Sequence, residues 1–217
     1  MDPRPPLLPR CGVMAVPLRS ALILAGGASK RFGRAKALVE VAEKPMIVRV
    51  AEALMPLADE LIVSVADAAS ERRLHGVLPR ARIVQDARHH RGPIEGFERG
   101  FDVARAPIIL VAPCDAPLLR PEIYGLLLSQ LGDREAAVPR PDVIDPVRAV
   151  YRADAVRRVL REAGGALPSP SSLVDRLDAV LVSEAALRAV DPDLLSFRDV
   201  NRREDLSSVL EFIGPAA

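Results

Sequence analysis

Short apolar runs alternate with helical patterns through the first 131 residues, and this alternation restricts the possible folds more than any other feature of the chain. Four runs predict strands, because they are largely apolar at successive positions: residues 20–25, 61–65, 81–84 and 108–112. Strands of this kind need cover on both faces, which helices on either side of a mostly parallel sheet provide. The sequence therefore predicts a three-layer α/β fold.

The helical segments and the second half of the chain complete this outline. Apolar residues at helical spacing predict helices over residues 45–54, 93–104 and 121–131, each with a proline at its first position. Further candidate strands lie at 136–139, 147–151 and 179–183, and further candidate helices at 153–163, 171–177 and 204–212. We expect one domain over residues 18–217, because no repeat or clear linker interrupts it, preceded by a flexible proline-rich tail over residues 1–17.

Charge and composition exclude several classes of protein. The net charge of the 217 residues is +1, which is not typical of general nucleic-acid binding or of a polybasic membrane-surface protein. No apolar run approaches the roughly 18 residues that a membrane-spanning helix needs. Cys11 and Cys114 lie far apart and form no CxxC pair, so neither a disulfide framework nor a zinc site is predicted. We expect a cytoplasmic protein with no nucleic-acid or membrane partner.

A glycine-rich, basic loop follows the first predicted strand. From Leu24 to Lys36 it reads L-A-G-G-A-S-K-R-F-G-R-A-K, with four basic side chains and no acid. Gly26 and Gly27 allow a ligand to approach the backbone closely, and exposed N–H groups in such a loop can bind an anion. The spacing fits neither a Walker-type phosphate loop nor a dinucleotide fingerprint. The loop is a candidate phosphate site, and the alternative is a glycine turn followed by a solvated charged run.

An aspartate follows the fourth predicted strand, in the sequence P-C-D-A-P. The prolines on either side restrict the backbone, so the carboxylate of Asp115 is held in place. Because Mg²⁺ takes one or two carboxylates together with water and phosphate oxygens, one aspartate beside a phosphate loop is sufficient for a magnesium site. The alternative is a turn residue that accepts hydrogen bonds from nearby backbone N–H groups. Cys114 is more simply a small buried residue than a nucleophile.

These motifs resemble those of the molybdenum cofactor guanylyltransferases, a family within the nucleotidyltransferase superfamily. The family's loop runs L-A-G-G-x-S-x-R-φ-G-x-x-K, where φ is apolar. This chain meets every fixed position, through Leu24, Ala25, Gly26, Gly27, Ser29, Arg31, Phe32, Gly33 and Lys36. The family holds magnesium at a Cys-Asp-x-Pro motif, which Cys114 and Asp115 match. The resemblance implies a fold like that of the nucleotide-diphospho-sugar transferases, with a mostly parallel sheet and a Rossmann-like nucleotide-binding half.

The resemblance also implies a reaction and roles for individual residues. The reaction is transfer of GMP from GTP to the phosphate of molybdenum-molybdopterin, which gives molybdopterin guanine dinucleotide and pyrophosphate. Mg²⁺, or Mn²⁺ in its place, would bind Asp115, and the catalytic residues would be Lys36, Arg31 and Asp115. The nucleotide would be bound by Leu24, Ala25, Gly26, Gly27, Lys36, Asp86 and Asp115. Molybdoenzymes or cofactor chaperones would be the protein partners.

The middle of the chain matches the family less completely. Asp86 stands where the family has a nucleotide-contacting aspartate, and a Gly-Pro-x-x-Gly turn follows it from Gly92. The alternative for Asp86 is a turn residue at the entry to a helix. Ala66 replaces an asparagine that helps the family to read the base, so Ser64 or a backbone group would have to substitute for it.

Two segments near the C-terminus also depart from the family pattern. Residues 197–206 resemble F-x-N-φ-N-T-P-E-D-L, with Asp199 in place of the first asparagine. Asp199 and Asn201 are the candidate acceptor-binding residues, and the alternative for Asn201 is the N-cap of the last helix, with Glu204 three residues later. Residues 145–151 resemble a further segment beside the acceptor site, H-P-φ-x-A-φ-Y, in which Asp145 replaces histidine.

The base and the acceptor remain open at this point. A cytidylyl-transferring relative, a cobinamide-phosphate guanylyltransferase and a sugar 1-phosphate enzyme would share the same phosphate chemistry. A nucleotide-binding module without turnover is the alternative from another class. The residues that differ from the family pattern, among them Ala66, Asp145 and Asp199, stand where the family binds the base and the acceptor. The sequence therefore predicts the phosphate chemistry more completely than the identity of the substrates.

Overall fold

The computed structural model describes residues 18–26, 36–86 and 93–213, and within them helices flank a seven-stranded sheet. The strands are β1 (Arg19–Ala25), β2 (Glu40–Val41), β3 (Lys44–Pro45), β4 (Glu60–Val65), β5 (Arg82–Gln85), β6 (Ile108–Pro113), β7 (Ala136–Arg140), β8 (Val150–Arg152) and β9 (Ala179–Ser183). The helices are α1 (Met46–Leu54), α2 (Ala68–His75), α3 (Pro93–Val103), α4 (Pro121–Leu131), α5 (Ala153–Ala163), α6 (Pro170–Val174), α7 (Glu184–Val190) and α8 (Arg203–Leu210). The predicted tail over residues 1–17 lies outside the described residues.

The large sheet has the strand order β5-β4-β1-β6-β8-β7-β9. β1 pairs in parallel with β4 and β6, and β4 pairs in parallel with β5, so the four strands predicted first lie side by side. β8 is antiparallel to both β6 and β7, whereas β7 and β9 are parallel. The mostly parallel sheet is therefore confirmed, with one antiparallel strand in its second half.

The central strand is buried on both faces, as its uninterrupted apolar sequence requires. In β1, Ala21 and Ile23 belong to the core cluster that includes α1 and α4, whereas Leu22 and Leu24 belong to the cluster that includes α3 and α5. Successive side chains of a strand point to opposite faces, so one short strand contributes to both layers of the core. No helix in residues 18–26, 36–86 and 93–213 is long and apolar enough to cross a membrane.

The second half differs from the sequence prediction in four places. β8 begins at Val150 rather than at residue 147, because the preceding residues form a turn in which the Val147 N–H donates to Asp145 Oδ1 at 3.2 Å. α6 ends at Val174 rather than at residue 177, and α8 ends at residue 210 rather than 212. α7 has no counterpart in the prediction, because only Leu187 is buried among its seven residues and a helical period is not visible.

A small hairpin, β2–β3, connects the glycine-rich loop to α1 and places the C-terminal segment near it. The Arg49 side chain of α1 donates to the backbone carbonyls of Val41 and Ala42, at 2.8 and 3.1 Å. Val41 shares a small core cluster with Val200 and Val209. The hairpin therefore brings the segment before α8 against the end of the loop, although the two are far apart in sequence.

Candidate functional site

The carboxyl ends of β1, β4 and β6 meet at one edge of the sheet. Their parallel register places Leu24 beside both Ser64 and Pro113. The Cys114 N–H continues this pairing and donates to the Leu24 carbonyl at 3.1 Å. The segments that follow these strands therefore start close together, at the edge where open α/β sheets bind ligands.

The glycine-rich loop is described only at its two ends. Leu24, Ala25 and Gly26, which are predicted to bind nucleotide, lie at the end of β1 and just after it. The chain is described again from Lys36, which begins a short 3₁₀ turn before the hairpin. The other predicted residues of the loop lie outside the described residues: Gly27, Ser29, Arg31, Phe32 and Gly33.

The ammonium group of Lys36 and the carboxylate of Asp115 form an ion pair at this edge. Lys36 Nζ lies 2.5 Å from Asp115 Oδ2, and the two side chains are only 17% and 18% exposed. The residues follow different strands and are 79 positions apart. The fold thus brings together a lysine and an aspartate selected from separate motifs, in a partly buried position where charges interact more strongly than in bulk water.

Asn201, the only asparagine in the chain, contacts the same lysine. Its Oδ1 accepts a hydrogen bond from Lys36 Nζ at 2.8 Å. The N–H of the preceding residue, Val200, donates to the Asp115 backbone carbonyl at 2.9 Å. The segment before α8 is therefore attached to the site by one side-chain and one backbone hydrogen bond.

Asn201 does not cap the last helix, which was the alternative interpretation of this residue. The N-cap of α8 is Arg202, and the third helical residue is Asp205 rather than Glu204. The Asp205 carboxylate accepts hydrogen bonds from the backbone N–H groups of Asn201 and Arg202, each at 2.7 Å. The side chain of Asn201 contacts Lys36 and not the helix.

The oxygen atoms around Lys36 are of the kind that Mg²⁺ prefers. Asp115 Oδ2 and Asn201 Oδ1 lie within hydrogen-bond distance of one nitrogen, so a single cation already bridges them. In the part of the chain that the structure describes, no group of three or more His, Cys, Asp and Glu could hold a metal ion. One carboxylate with a neighbouring amide oxygen fits an ion that completes its shell with water and phosphate.

Asp86 follows β5 and reaches across β4 to the end of β1. The Ser64 hydroxyl donates to Asp86 Oδ1. A Cβ atom at Gly26 would lie 2.3 Å from Asp86 Oδ2, so the approach needs glycine there. A Cβ atom at Gly96 would lie 2.9 Å from Leu24 Cδ2 and 3.0 Å from Ser64 Oγ, so α3 also packs closely on this edge. Ser64 was suggested to take the place of the asparagine with which the family reads the base. In the structure its hydroxyl holds the carboxylate of Asp86 in position.

A buried arginine that the sequence patterns do not single out, Arg148, contacts both acids that replace other residues of the family pattern, Asp145 and Asp199. Arg148 is 3% exposed, and it donates to Asp145 Oδ2 at 2.5 Å and to Asp199 Oδ1. Its guanidinium carbon lies 5.6 Å from the centre of the Phe197 ring. A signal was present in the sequence, because an arginine interrupts the apolar run P-V-R-A-V-Y in a segment that has gained an acid.

Burial and neighbouring charges shift the pKa of three groups at this edge. Burial raises the pKa of Cys114 to about 12, so this residue is a neutral thiol near pH 7 and a poor nucleophile. It also raises the pKa of Asp199, which the charge of Arg148 offsets only in part. Burial alone would lower the pKa of Arg148, but the charges of Asp145 and Asp199 outweigh it and raise this pKa above its ordinary value. Arg148 is therefore a charged donor.

A separate cleft of about 500 Å³ lies between α3 and α5. Its lining mixes acidic and basic side chains, among them Glu95, Arg99, Asp102 and Arg161. None of the described residues predicted for the site lines it. Because its charges largely compensate one another, the cleft does not match the phosphate chemistry that the loop indicates, and the candidate site stays at the strand ends.

Comparison of the sequence with known proteins identifies a family and close relatives. The model of the MobA-like NTP transferase domain matches residues 21–180. The chain is 32% identical over 202 residues to a probable molybdenum cofactor guanylyltransferase of Methanosarcina acetivorans, covering 88% of this chain and 90% of the relative. It is 34% identical over 206 residues to the protein of the same name from Natronomonas pharaonis, covering 89% and 97%.

Two solved structures share the fold. Molybdopterin-guanine dinucleotide biosynthesis protein A from Archaeoglobus fulgidus superposes with a TM-score of 0.76 at 24% identity, covering 91% of this chain and all of that one. The 4-diphosphocytidyl-2C-methyl-D-erythritol synthase of Anaerococcus prevotii superposes with a TM-score of 0.69 at 12% identity, covering 90% and 98%. At these identities the likeness shows the fold alone, so the base and the acceptor have to be argued from the site residues.

Proposed function

Because this chain belongs to the MobA-like NTP transferase family and is a nucleotidyltransferase, we propose that it transfers GMP from GTP to the phosphate of molybdenum-molybdopterin. An oxygen of the acceptor phosphate forms a bond to the α-phosphorus of GTP, the bond from that phosphorus to the bridging oxygen of the β-phosphate breaks, and pyrophosphate leaves. The product is molybdopterin guanine dinucleotide. The names of the relatives from Methanosarcina and Natronomonas support this choice of base and acceptor.

The observation that carries the proposal is the contact of Lys36 with both Asp115 and Asn201 at the end of the glycine-rich loop. Nucleotidyl transfer needs positioning and neutralisation of negative charge on the α-phosphate and the leaving pyrophosphate, and little covalent help from the protein. A partly buried ammonium group beside a carboxylate supplies one positive charge and one metal ligand at the same place. This pairing supports the proposed reaction.

Each residue of the site has a proposed task. Asp115 would hold Mg²⁺, and the bound ion would supply charge neutralisation on the phosphates of the nucleotide. Lys36 donates hydrogen bonds to phosphate oxygens, and the backbone N–H groups near Gly26 bind the triphosphate. Arg31, outside the described residues, adds a second positive charge. The acceptor phosphate is already ionised near pH 7, so its attack needs no general base.

Asp86 is the proposed guanine-binding residue. A carboxylate accepts two hydrogen bonds, which matches the two adjacent donors of guanine, N1–H and the 2-amino group. The Ser64 hydroxyl contacts Oδ1, and Gly26 leaves space for Oδ2, so the carboxylate is restricted in position. Asp199 and Asn201 lie on the other side of β1, towards β6 and β8, where we place the acceptor.

Calorimetric titration of the protein with Mg²⁺ and each of GTP, CTP, ATP, UTP and dTTP tests the choice of nucleotide. We expect GTP to bind at least about tenfold more tightly than the other four, because only guanine offers two adjacent donors to Asp86. Tighter binding of CTP or dTTP would contradict the assignment of guanine. Absence of binding by all five would favour a relative that has lost its activity.

Release of pyrophosphate from GTP in the presence of molybdenum-molybdopterin tests the reaction, and Asp115→Asn tests the metal ligand. The substitution keeps the shape and removes the charge, so we expect turnover to fall by roughly ten- to a thousandfold. Asp102→Asn is the matched control, because Asp102 is 70% exposed and pairs only at the surface with Arg99 at 3.1 Å. Wild-type turnover of Asp115→Asn would overturn the metal assignment.

A further inference from the structure

Three charged side chains next to the Lys36 site form a largely buried set, in which the proposed function assigns no role to Arg148 or Asp145. The side chains of Arg148, Asp145 and Asp199 are 4%, 16% and 34% exposed, and the arginine lies between the two acids. Both acids replace residues that the family pattern has as histidine and asparagine, in two separate segments. The two replacements therefore meet at one guanidinium group, and they are best understood together.

This set is a poor device for stabilising the fold. Arg148 Nε is buried and has no hydrogen-bond partner among the residues that the structure describes, so the guanidinium gives up one donor in addition to its hydration. Removing charged groups from water costs free energy that well-packed apolar side chains of similar volume do not incur. A buried ionic set with an unsatisfied donor, located beside a candidate active site, is better explained by a role in positioning residues of that site than by a role in stabilising the fold.

The set is connected to the site through three consecutive residues. Asp199, which Arg148 holds, is followed by Val200, whose N–H donates to the Asp115 carbonyl at 2.9 Å. Asn201 comes next, and its Oδ1 accepts from Lys36 at 2.8 Å. A shift of Asp199 would therefore be transmitted along the backbone to the residue that contacts Lys36.

The segment is held on both sides of Asn201. On one side, Arg148 contacts Asp199 through an ion pair and Phe197 through the face of its ring, 5.6 Å away. On the other side, Asp205 accepts from the Asn201 N–H at 2.7 Å. Loss of Arg148 would remove the ion pair that fixes Asp199, while Asp205 and the Val200 N–H would still attach the rest of the segment.

We propose that Arg148 is a positioning residue that acts through Asp199 to place Asn201 against Lys36, and that it thereby sets the rate of nucleotidyl transfer. The inference rests on the proposed function for the reaction that is affected. The placement of Asn201 can be measured without that reaction. Arg148 takes no direct part in the bonds that form and break between the acceptor and the nucleotide.

The single asparagine of the chain gives a direct readout of this placement. Selective ¹⁵N-asparagine labelling yields one backbone amide and one side-chain amide, both from Asn201. We expect Arg148→Gln to shift or broaden these signals. Arg157→Gln is the matched control, because Arg157 also donates to buried partners, the carbonyls of Phe101 and Ala104, but these lie between α3 and α5. We expect this control to leave the Asn201 signals unchanged.

Arg148→Lys provides a second variant in case Arg148→Gln does not fold. Lysine keeps the positive charge between the two acids and loses the planar fork that contacts both of them. We expect the protein to fold and the Asn201 signals to move in the same direction as with glutamine, by a smaller amount. Unchanged signals in a folded variant of either kind would overturn the proposal.

Steady-state kinetics separate positioning from a merely structural role. We expect Arg148→Gln to lower kcat at least about tenfold and to leave the Kd of GTP, measured by calorimetry, within about twofold, because the proposed base contact, Asp86, follows β5 and lies far from Arg148 across the sheet. Arg148→Gln combined with Asp199→Asn removes the carboxylate at position 199, one of the two that lose their arginine, and restores the amide of the family pattern there. Its kcat should return to that of Asp199→Asn alone, since Arg148 acts through Asp199.

The outcomes distinguish this proposal from the function on which it rests. Independent, additive losses in the double variant would overturn the route through Asp199. Loss of thermal stability with unchanged kcat and unchanged Asn201 signals would make Arg148 a structural residue only. If the proposed function is wrong, the wild type releases no pyrophosphate from GTP with the acceptor, while the Asn201 signals still respond to the Arg148 variants.

Discussion

The carboxylate of Asp86 occupies the space that a side chain at position 26 would need. A Cβ atom on Gly26 would lie 2.3 Å from Asp86 Oδ2, closer than the 3.0 Å that real Cβ atoms respect. The two residues follow different strands, β1 and β5, so a side chain at position 26 fits only if the Asp86 carboxylate moves. This contact links the phosphate loop to the residue proposed to bind the base.

Gly26→Ala should therefore weaken nucleotide binding by displacing Asp86. We expect the Kd of GTP, measured by calorimetry, to rise at least about tenfold, because one well-placed charged hydrogen-bonding group is lost from the base. Gly125→Ala is the control, since a Cβ there meets nothing within 4 Å in helix α4. It should stabilise the protein by about 0.5–1 kcal/mol and leave binding unchanged. Wild-type affinity in Gly26→Ala would contradict the role of Asp86.

Lys36→Met should remove the positive charge that contacts Asp115 and Asn201 while keeping a side chain of similar length. We expect kcat for pyrophosphate release to fall by about 10²–10³, because a preorganised charge at the reacting phosphate is lost. Lys44→Met is the matched control, since Lys44 pairs at the surface with Glu52 and the two side chains are 42% and 56% exposed. Equal losses in both variants would indicate a general effect on the fold.

A buried glutamate at the start of β4 makes the stability of the fold depend on pH. Glu60 accepts hydrogen bonds from the Ser20 hydroxyl at 2.6 Å, and from the Arg105 backbone N–H and Nε at 3.1 and 3.0 Å. Burial alone would raise the pKa of Glu60, but these hydrogen bonds and the charge of Arg105 outweigh it. They hold the pKa of Glu60 below its ordinary value of 4.5.

A carboxyl group whose pKa is lowered on folding stabilises the folded state fully above its unfolded pKa, and loses this contribution as the pH falls through its folded pKa. We expect Glu60→Gln to lower the free energy of unfolding by about 1–3 kcal/mol near neutral pH. The difference from wild type should shrink as the pH falls below 4.5, in urea unfolding series. Glu40→Gln, at an exposed position of β2, is the control. A difference independent of pH would contradict this account.

Cys114 should be chemically inert although it adjoins the proposed metal ligand. Burial raises its pKa to about 12, so the thiolate that alkylating reagents need is scarce near pH 7. In a Cys11→Ser background, we expect maleimide to label Cys114 only after denaturation, as measured by mass spectrometry. We also expect Cys114→Ala to retain most of the turnover. Rapid labelling of the folded protein, or loss of turnover in a folded Cys114→Ala variant, would contradict this prediction.

Local sequence patterns were sufficient for most elements that surround the site. The predicted bounds of α4, α5 and β9 agree with the structure, because the spacing of apolar residues directly reflects which face of an element is buried. The same reasoning correctly put Asp115 and the start of the glycine-rich loop just beyond strand ends. It failed for α7, because a single buried leucine, Leu187, gives no helical spacing of buried apolar residues.

By itself the sequence determined the α/β architecture, the position of Asp115 just beyond a strand end and the selection of Lys36 at the end of the glycine-rich loop, since a strand, a glycine turn and a flanking proline act on their immediate neighbours. Only the tertiary structure decided that Asn201 contacts Lys36 instead of capping α8, and that Arg148 joins the two acidic departures. These contacts span 165 positions in one case and 51 in the other. The packing of the sheet and the hairpin chooses such partners, and no local period in the sequence records that choice.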